Sequence, residues 1–298
     1  MDRITLMGLN QTVIQDNQRT LGRLATYQEQ LASGKKINRV SDDVVASLQS
    51  LRYRADSSDS GKYLDNIDKA LAFMGATDTS LNELTQTFDQ VKEIALQGAN
   101  ASQDADSREA LALSVDSYLD RMIDLGNTVH DGRYIFGGTA TTAQKPFALS
   151  SDASRVDYAG NLDAFQVQVG PNSKVDTNQN GYDLFKGTVD VFDSLIQLRD
   201  ALRSNNANKI AESVTTLDDA HNHANDLQGA MGGRVQRLEL SRNQLQAGQF
   251  YQKQLISQAE DVDFTDTISK MQLAQVALEA GLQSAARIIQ PTLMDFLK

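Results

Sequence analysis

The sequence predicts a mainly α-helical protein: an elongated helical rod or coiled-coil bundle with paired N- and C-terminal helices and a small inserted β-containing domain. Only three of its 298 residues are proline, so long stretches contain no residue that breaks a helix. Apolar residues recur at steps of three and four over most of the chain, which is the spacing of an amphipathic helix. Between Tyr134 and Phe185 the glycines and two of the prolines, Pro146 and Pro171, gather, and the spacing shortens to the alternation of a strand.

Each end of the chain carries a narrow apolar line on a predicted helix. The N-terminal line is interrupted by the polar residues Asn10, Asn17 and Gln28. The C-terminal line alternates steps of four and three without a break. It consists of Phe264, Ile268, Met271, Gln275, Leu278, Leu282, Ala285 and Ile289. A helix with so narrow a stripe has little apolar area to bury alone, so the ends are predicted to pair with each other, or with other subunits, in a coiled coil.

Residues 1–35 and 264–298 therefore form a predicted terminal domain, and its apolar residues are the candidate assembly interface. They are Met7, Ile14, Leu21, Leu24, Leu31, Ile268, Met271, Leu278, Leu282, Ile289, Leu293 and Phe296. Both ends carry a small excess of basic residues whereas the middle is strongly acidic, which also favours placing the two ends together.

Three longer helices are predicted between the ends, in a helical rod domain of residues 36–133 and 186–263. These helices cover residues 44–97, 104–129 and 210–245, where apolar residues keep helical spacing. In the loop before the first of them, Ser41 or Asp42 is a plausible N-cap, because each has a short side chain with an oxygen acceptor.

The predicted inserted domain, residues 134–185, contains a candidate β-hairpin. Val156 and Tyr158 alternate with polar residues, and so do Phe165, Val167 and Val169 further along. The Ala-Gly-Asn segment at 159–161 lies between the two runs. The spacing predicts that these two strands pair with each other.

Composition excludes several classes of function. With 28 Lys and Arg against 39 Asp and Glu, the net charge is −11, and the chain lacks the basic surface that binds nucleic acid. The mean hydropathy is −0.40, and no apolar run approaches the length of a membrane span, so no membrane insertion is expected. The absence of cysteine excludes disulfides and thiolate chemistry. The first 20 residues lack the apolar core of a cleavable secretory signal, so the protein stays inside the cell or leaves by another route.

Metal-binding patterns are weak, and we expect no metal and no cofactor. His221 and His223 lie two apart on a predicted helix and point to different faces, so they cannot chelate a metal together. His221 is expected to face a partner helix. The segment DTNQNGYD, residues 176–183, resembles the first half of a calcium loop but has Gly187 where the bidentate glutamate would stand. A surface turn is favoured over a weak calcium site.

Catalytic patterns are absent as well, and we expect no enzyme activity. Asp261, Asp263 and Asp266 precede the last predicted helix, where carboxylates cap the first amides, and this role is favoured over a catalytic carboxylate pair. No combination of nucleophile, base and orienting residue can be assembled from the sequence.

Four segments together resemble the bacterial flagellin family. LASGKKINRVSDDVVAS, residues 31–47, is similar to the loop after the family's first helix, and AEDVDFTDTISKMQLAQVALEAGLQSA, residues 259–285, is similar to its C-terminal helix. LQGAMGGRVQRLE, residues 227–239, resembles a Gly-Ala-x-x-x-Arg segment of the family. NTVHDGRYIFGGTATTAQKPF, residues 127–147, resembles the hook-associated form of the sequence that enters the inserted domain. This segment and the small insertion favour the hook-associated branch of the family.

The resemblance implies a structural protein of the bacterial flagellum. It implies an adaptor that joins the hook, through hook-associated protein 1, to the flagellin filament, with its own subunits stacked in a ring or helical layer. It also implies type III export without a cleavable signal peptide, an export chaperone on the C-terminal helix, and an extracellular location at the hook-filament junction. A filament flagellin and a non-flagellar coiled-coil scaffold are the two alternatives.

Overall fold

The computed structural model describes the backbone over residues 6–140 and 144–296, and the side chains of residues 11–286 within those ranges. The α-helices in these ranges are α1 (Leu6–Ser33), α2 (Val44–Ala99), α3 (Ala105–Gly126), α4 (Val191–Arg203), α5 (Ala207–Glu260) and α6 (Phe264–Phe296), and Asp183–Gly187 form a short π-helix. The strands are β1 (Val129–His130), β2 (Arg133–Tyr134), β3 (Phe147–Leu149), β4 (Val156–Tyr158), β5 (Gln166–Gly170) and β6 (Ser173–Asp176). The predicted class, mainly α with a small β-containing insertion, is confirmed.

The chain divides into two compact units. Unit 1 comprises Met1–Asp59 and Gly248–Lys298, and unit 2 comprises Ser60–Ala247. Helices α1 and α6 therefore lie in unit 1, and the strands lie in unit 2. The three domains expected from the sequence stay a prediction. In the part of the chain that the structure describes, no helix is both long enough and apolar enough to span a membrane.

The core of unit 2 is built from the apolar stripes of the long helices. The α2 stripe is Ile67, Met74, Leu81, Leu84, Phe88 and Val91, each at most 1% exposed. The α5 stripe consists of Ile210, Leu217, Ala220, Ala224, Met231 and Leu238. His221 of α5 stacks on Phe88 of α2, with 6.0 Å between the ring centroids. The predicted position of His221, facing a partner helix, is confirmed.

The N-cap of α2 differs from the prediction. The Asp43 carboxylate accepts from the Ala46 amide at 2.9 Å, so Asp43 caps the helix rather than Ser41 or Asp42. Asp42 instead accepts from the backbone amides of Asn38 and Arg39, at 3.0 and 2.8 Å. Asp42 therefore holds the preceding loop. Two adjacent aspartates have the same capping chemistry, and only the path of the loop decides between them.

Two details of the helices in unit 2 were not predicted. The second predicted helix begins as expected after Asp104, whose carboxylate accepts from the Ser107 amide, but it ends at Gly126 because Asn127 caps it and leads into β1. The short helix α4 was missed. It begins after Asp190, which caps the Asp193 amide at 3.0 Å, and it packs against α3.

The predicted hairpin is wrong in its pairing, although both segments form strands. β4 pairs with β3, and β5 pairs with β6, each in antiparallel register. Gly170 faces Ser173, so Pro171 and Asn172 form the turn between β5 and β6. The two-residue connection favours the pairing of β5 with β6. β4 pairs with β3, where Phe147 lies opposite Tyr158 and the two rings are in contact.

An aromatic cluster packs the inserted strands against the helices of unit 2. The Phe147 ring of β3 lies 4.8 Å from that of Phe185 and 5.2 Å from that of Phe192, centroid to centroid. Phe136 and Tyr158 complete the cluster, at 5.5 Å from Phe185 and 5.0 Å from Phe147. Phe136, Phe147, Phe185 and Phe192 are each at most 1% exposed. The inserted region therefore shares its core with the helices.

The segment 176–183 is not the surface turn that was expected. Thr177, Asn178 and Gln179 are buried, and the Asn178 side chain accepts from the Phe165 amide and donates to the Asp163 carbonyl. Its oxygen is therefore already bonded by a protein donor. Within the described ranges, no three His, Asp or Glu side chains lie close enough together to hold a metal ion.

Gly181 lies in this segment, at a point where the backbone passes against the aromatic cluster. A Cβ atom there would collide with the Phe136 carbonyl oxygen and would lie 3.1 Å from Cζ of Phe147. Gly181→Ala is expected to lower the free energy of unfolding by about 2 kcal/mol, because a backbone atom cannot move aside as a side chain can. Urea denaturation measures the change.

A matched control uses the same substitution in a helix. A Cβ atom on Gly229 in α5 would meet no heavy atom within 4 Å, so Gly229→Ala is expected to stabilise the protein by about 0.5 to 1 kcal/mol. Equal effects of the two substitutions would contradict the packing described at Gly181.

Candidate assembly surface

In unit 1, α1 and α6 pack against each other, as the paired ends were predicted to do. We call the side of each helix that faces the other the inner face. The inner face of α1 consists of Val13, Asn17, Thr20, Leu24, Tyr27 and Leu31, all partly buried. The inner face of α6 consists of Thr267, Met271, Ala274, Leu278, Gly281 and Ala285, all partly or fully buried. Both sets alternate steps of four and three, the spacing of a coiled-coil seam.

The predicted apolar lines are half correct. Leu24 and Leu31 of α1, and Met271 and Leu278 of α6, lie on the inner faces. Asn17 and Ala285, which were also part of the predicted lines, lie on the inner faces as well. At the alternate described positions the structure uses the preceding residue, so that Ala274 replaces Gln275 and Gly281 replaces Leu282.

Small residues explain this shift. A Cβ atom on Gly281 would collide with the Asn17 side chain, so the two helices approach closely at this level. Glycine permits such an approach because it has no side chain. The larger Leu282 is then left outside the helix pair, and it is 55% exposed.

The turn between α5 and α6 is joined to the loop after α1 by backbone hydrogen bonds. The Lys36 amide donates to the Glu260 carbonyl at 2.7 Å, and the Val262 amide donates to the Gly34 carbonyl at 3.0 Å. Asp263 immediately precedes α6, and its carboxylate accepts from the amides of residues 265 and 266 at 2.9 and 3.1 Å. The predicted capping role of the aspartates before the last helix is confirmed for Asp263. These bonds fix where α6 starts relative to the end of α1.

The Glu260 side chain is the centre of a charged cluster in this turn. Its carboxylate lies 2.6 Å from both the Lys35 ammonium and the Arg54 guanidinium, and it accepts from the Ser50 hydroxyl. The hydrogen bonds from Arg54, then those from Lys35 and Ser50, lower the pKa of Glu260 to about 2, against the opposing effect of partial burial. Sequence reasoning missed this cluster because its members are far apart in the chain.

Because the pKa of Glu260 is lower in the folded state, its contribution to stability is present above the unfolded value near 4.5 and is lost as pH falls toward 2. Lys35 and Arg54 are partly exposed, so solvent screening limits this contribution to about 1 kcal/mol. Glu260→Gln is expected to destabilise the protein by that amount at pH 7, and the difference should shrink between pH 4.5 and pH 3. Urea denaturation at these pH values tests it, and a difference independent of pH would contradict the ion-pair account.

Most of the large apolar side chains exposed in the described residues lie in unit 1. We call the set on the two terminal helices the outer face, and it consists of Ile14, Leu21, Phe264, Ile268, Leu273, Val276 and Leu282. A second set, Val40, Val44, Val45, Leu48 and Leu51, covers the loop and the first turns of α2. Phe250 and Tyr251 form a third set near the end of α5, and each is more than 60% exposed. The concentration of exposed large apolar side chains in unit 1 indicates that this unit takes part in protein-protein contacts.

The predicted interface residues fall into three groups. Ile14, Leu21, Ile268 and Leu282 are on the outer face. Leu24, Leu31, Met271 and Leu278 are on the inner faces, where they hold the helix pair together. The side chains of Met7, Ile289, Leu293 and Phe296 lie outside the described residues.

Sequence reasoning missed several exposed residues of unit 1. Leu273 and Val276 were passed over because they fall between the positions of the predicted seam. A stripe at helical spacing is formed by Val44, Leu48 and Leu51. This pattern could have indicated an apolar face at the start of α2. A stripe alone, however, does not tell a buried face from an exposed one.

The fold and the surface together define a mainly α protein whose two ends pair and carry exposed apolar residues. The bacterial flagellin N-terminal helical region matches residues 7–141, and the bacterial flagellin C-terminal helical region matches residues 214–297. These two matches together cover most of the chain, which therefore belongs to the bacterial flagellin family.

The full-length relatives are more specific. The chain is 23% identical over 283 residues to flagellar hook-associated protein 3 of Escherichia coli K12, with 87% of this chain and 88% of that protein covered. It is 25% identical over 132 residues to flagellin B of Helicobacter pylori, with 44% of this chain and 26% of that protein covered. The similarity to hook-associated protein 3 thus extends over nearly the whole length of both chains.

Solved structures share the fold. The flagellar junction protein FlgL from Legionella pneumophila superposes with a TM-score of 0.61 at 14% identity, covering 72% of this chain and all of that one. FlgL from Xanthomonas campestris also superposes with a TM-score of 0.61, at 16% identity, covering 67% of this chain and 98% of that one. At this level of identity the likeness concerns the fold.

Proposed function

We propose that this chain is a structural protein of the bacterial flagellum, an adaptor that joins the hook, through hook-associated protein 1, to the flagellin filament. The extent of similarity supports this over a filament flagellin, because hook-associated protein 3 of E. coli is matched over 88% of its length and flagellin B of H. pylori over only 26%. Most of the length of flagellin B therefore has no matching segment in this chain, whose inserted region is small.

The observation that carries the proposal is the distribution of apolar surface and charge between the units. Unit 1 has a net charge close to zero and most of the exposed large apolar side chains, whereas unit 2 holds nearly all of the net charge of −11. Burial of apolar surface drives protein association, and like charges oppose it. Unit 1 is therefore the part of the chain suited to subunit contacts.

In the proposed assembly, the outer face packs against neighbouring subunits while the inner faces keep the two ends of one chain together. A contact between two different surfaces of identical subunits can continue as a ring or a helical layer. The layer would present one surface to hook-associated protein 1 and another to flagellin, and different partners on the two sides require surfaces that differ. The predicted residues Ile14, Leu21, Ile268 and Leu282 belong to this proposed interface, as do Leu273 and Val276.

The route to this location is part of the proposal. The chain would be exported through the flagellar type III apparatus without a cleavable signal peptide, and an export chaperone would hold its C-terminal helix. Exposed apolar residues on α6, such as Leu273 and Val276, support the need for such a cover before assembly, because an uncovered apolar face invites aggregation. The proposal assigns the chain no catalytic role.

A reconstitution experiment tests the proposed function. Purified protein is added to isolated hooks that already carry hook-associated protein 1, and the tips are imaged by electron microscopy before and after flagellin is added. A short layer that stops growing and then accepts flagellin is expected. Long filaments of this protein alone would show a flagellin, and bare tips would favour a coiled-coil scaffold outside the flagellum.

A further inference from the structure

A groove in unit 2, separate from the candidate assembly surface, lies between α2 and the strand β5. Its volume is about 730 Å³, within the range of about 300 to 1,000 Å³ that is usual for binding pockets. Phe73 of α2 and Phe165, next to β5, give it apolar walls, and Phe165 is 43% exposed. Lys69 and Arg133 also line it.

One side of this groove is an open strand edge. The Thr177 amide donates to the Phe165 carbonyl at 3.0 Å, so residue 165 is bonded toward the β6 side. In an antiparallel pair the bonded direction alternates from residue to residue, so the backbone groups of Gln166 and Gln168 point away from β6. The Asn66 side chain confirms this direction, because it donates to the Gln168 carbonyl from α2 at 3.0 Å.

Among the residues that the structure describes, none bonds to three backbone groups of this edge, and these remain for a partner: the amide and carbonyl of Gln166 and the amide of Gln168. Exposed edges of this kind are templates for pairing with another chain. The fourth group, the Gln168 carbonyl, already accepts from the Asn66 side chain, so the available edge ends there.

The charges of the groove indicate the chemistry of the partner. Asp68 lies 3.7 Å from Arg242, and Asp131 lies 3.7 Å from the His130 ring. Lys69 and Arg133 make no ion pair within the described ranges, and both are exposed. The contact between Asp131 and His130 is an ion pair only if the imidazole is protonated, so Asp131 counts with Lys69 and Arg133 as an unpaired charge. These three side chains leave the groove a net positive charge.

We propose that the edge of β5 binds an extended acidic peptide segment of another protein, which adds a third strand to the β5–β6 hairpin. Main-chain hydrogen bonds to Gln166 and Gln168 would provide the pairing. Alternate side chains of the peptide would point to the two sides of the added strand, with apolar ones against Phe73 and Phe165 and acidic ones toward Lys69 and Arg133. This role does not depend on the proposed junction function.

The test uses the full chain, labelled with ¹⁵N, and the synthetic peptide Ac-Ser-Glu-Val-Thr-Val-Glu-Ser-NH₂. Titration is expected to give saturable shifts of the Gln166 and Gln168 amides. Gln166→Pro removes an edge donor that the hairpin does not use and should weaken binding about tenfold or more, whereas Gln166→Thr keeps the donor and should bind within about twofold. Lys69→Glu should weaken binding of the acidic peptide.

A second measurement keeps the test independent of the folding of the proline variant. A peptide with N-methyl groups on alternate residues cannot donate along one edge, and it should bind the unaltered protein at least about tenfold more weakly. Absence of saturable shifts, shifts elsewhere only, or equal binding of the methylated peptide would overturn the proposal. Concentration-dependent dimers that involve the same two amides would assign the edge to a second copy of the chain instead and would also overturn it.

Discussion

Replacing Leu282 by Asp is expected to abolish incorporation of the protein at hook tips while leaving the free protein folded. Leu282 is 55% exposed on the outer face of α6, so a carboxylate there remains in water in the free protein. In the proposed layer the same carboxylate would be buried against a neighbouring subunit without a partner, which costs several kcal/mol. Electron microscopy of the tips and urea denaturation of the free protein measure the two effects.

Two other leucines provide controls for this substitution. Leu113 of α3 is 57% exposed in unit 2, so Leu113→Asp introduces the same charge at the same exposure and is expected to allow incorporation. Leu278 lies on the inner face, and Leu278→Asp is expected to lower the stability of unit 1 because it places a charge against α1. Normal incorporation of Leu282→Asp, or loss of incorporation with Leu113→Asp, would contradict the proposed interface.

Replacing Phe147 by Ala is expected to lower the free energy of unfolding of unit 2 by about 3 to 5 kcal/mol. The Phe147 ring is fully buried and contacts the rings of Phe185, Phe192 and Tyr158. Its removal therefore leaves a cavity where the inserted strands meet the helices. Thermal and urea unfolding measure the loss.

Phe250 gives the matched control for this substitution. Phe250 of α5 is 65% exposed, so Phe250→Ala removes an equal side chain without opening a cavity and is expected to change stability by at most about 0.5 kcal/mol. If the two substitutions destabilised the protein equally, the aromatic cluster would not be the core that fastens the inserted strands.

The long helices could be predicted from the sequence because their apolar spacing is repeated over many turns. The helix predicted at 44–97 matches α2, which is Val44–Ala99, and buried residues such as Met74 and Phe88 were part of that pattern. The short helix α4 was missed. Its 13 residues follow a glycine-rich region in which the sequence had switched to strand spacing.

Strand pairing could not be predicted, because the alternation of Val156 and Tyr158 shows that a strand forms but not which strand it joins. The partner is set by contacts distant in sequence, such as those of Phe147 with the helices of unit 2.

Contacts distant in sequence also decide the details of the candidate assembly surface. The spacing located the faces of α1 and α6 to within one residue, but the choice of Gly281 over Leu282 for the inner face depends on how closely the helices approach.

The central claim, that the outer face becomes buried between subunits, can be measured directly because the chain contains no cysteine. Leu282→Cys and the matched Leu113→Cys each introduce a single thiol, and a maleimide dye labels it in the free protein and in layers assembled on hooks. We expect both thiols to react in the free protein, and only the thiol at position 282 to be protected after assembly. Equal labelling of position 282 before and after assembly would contradict the account.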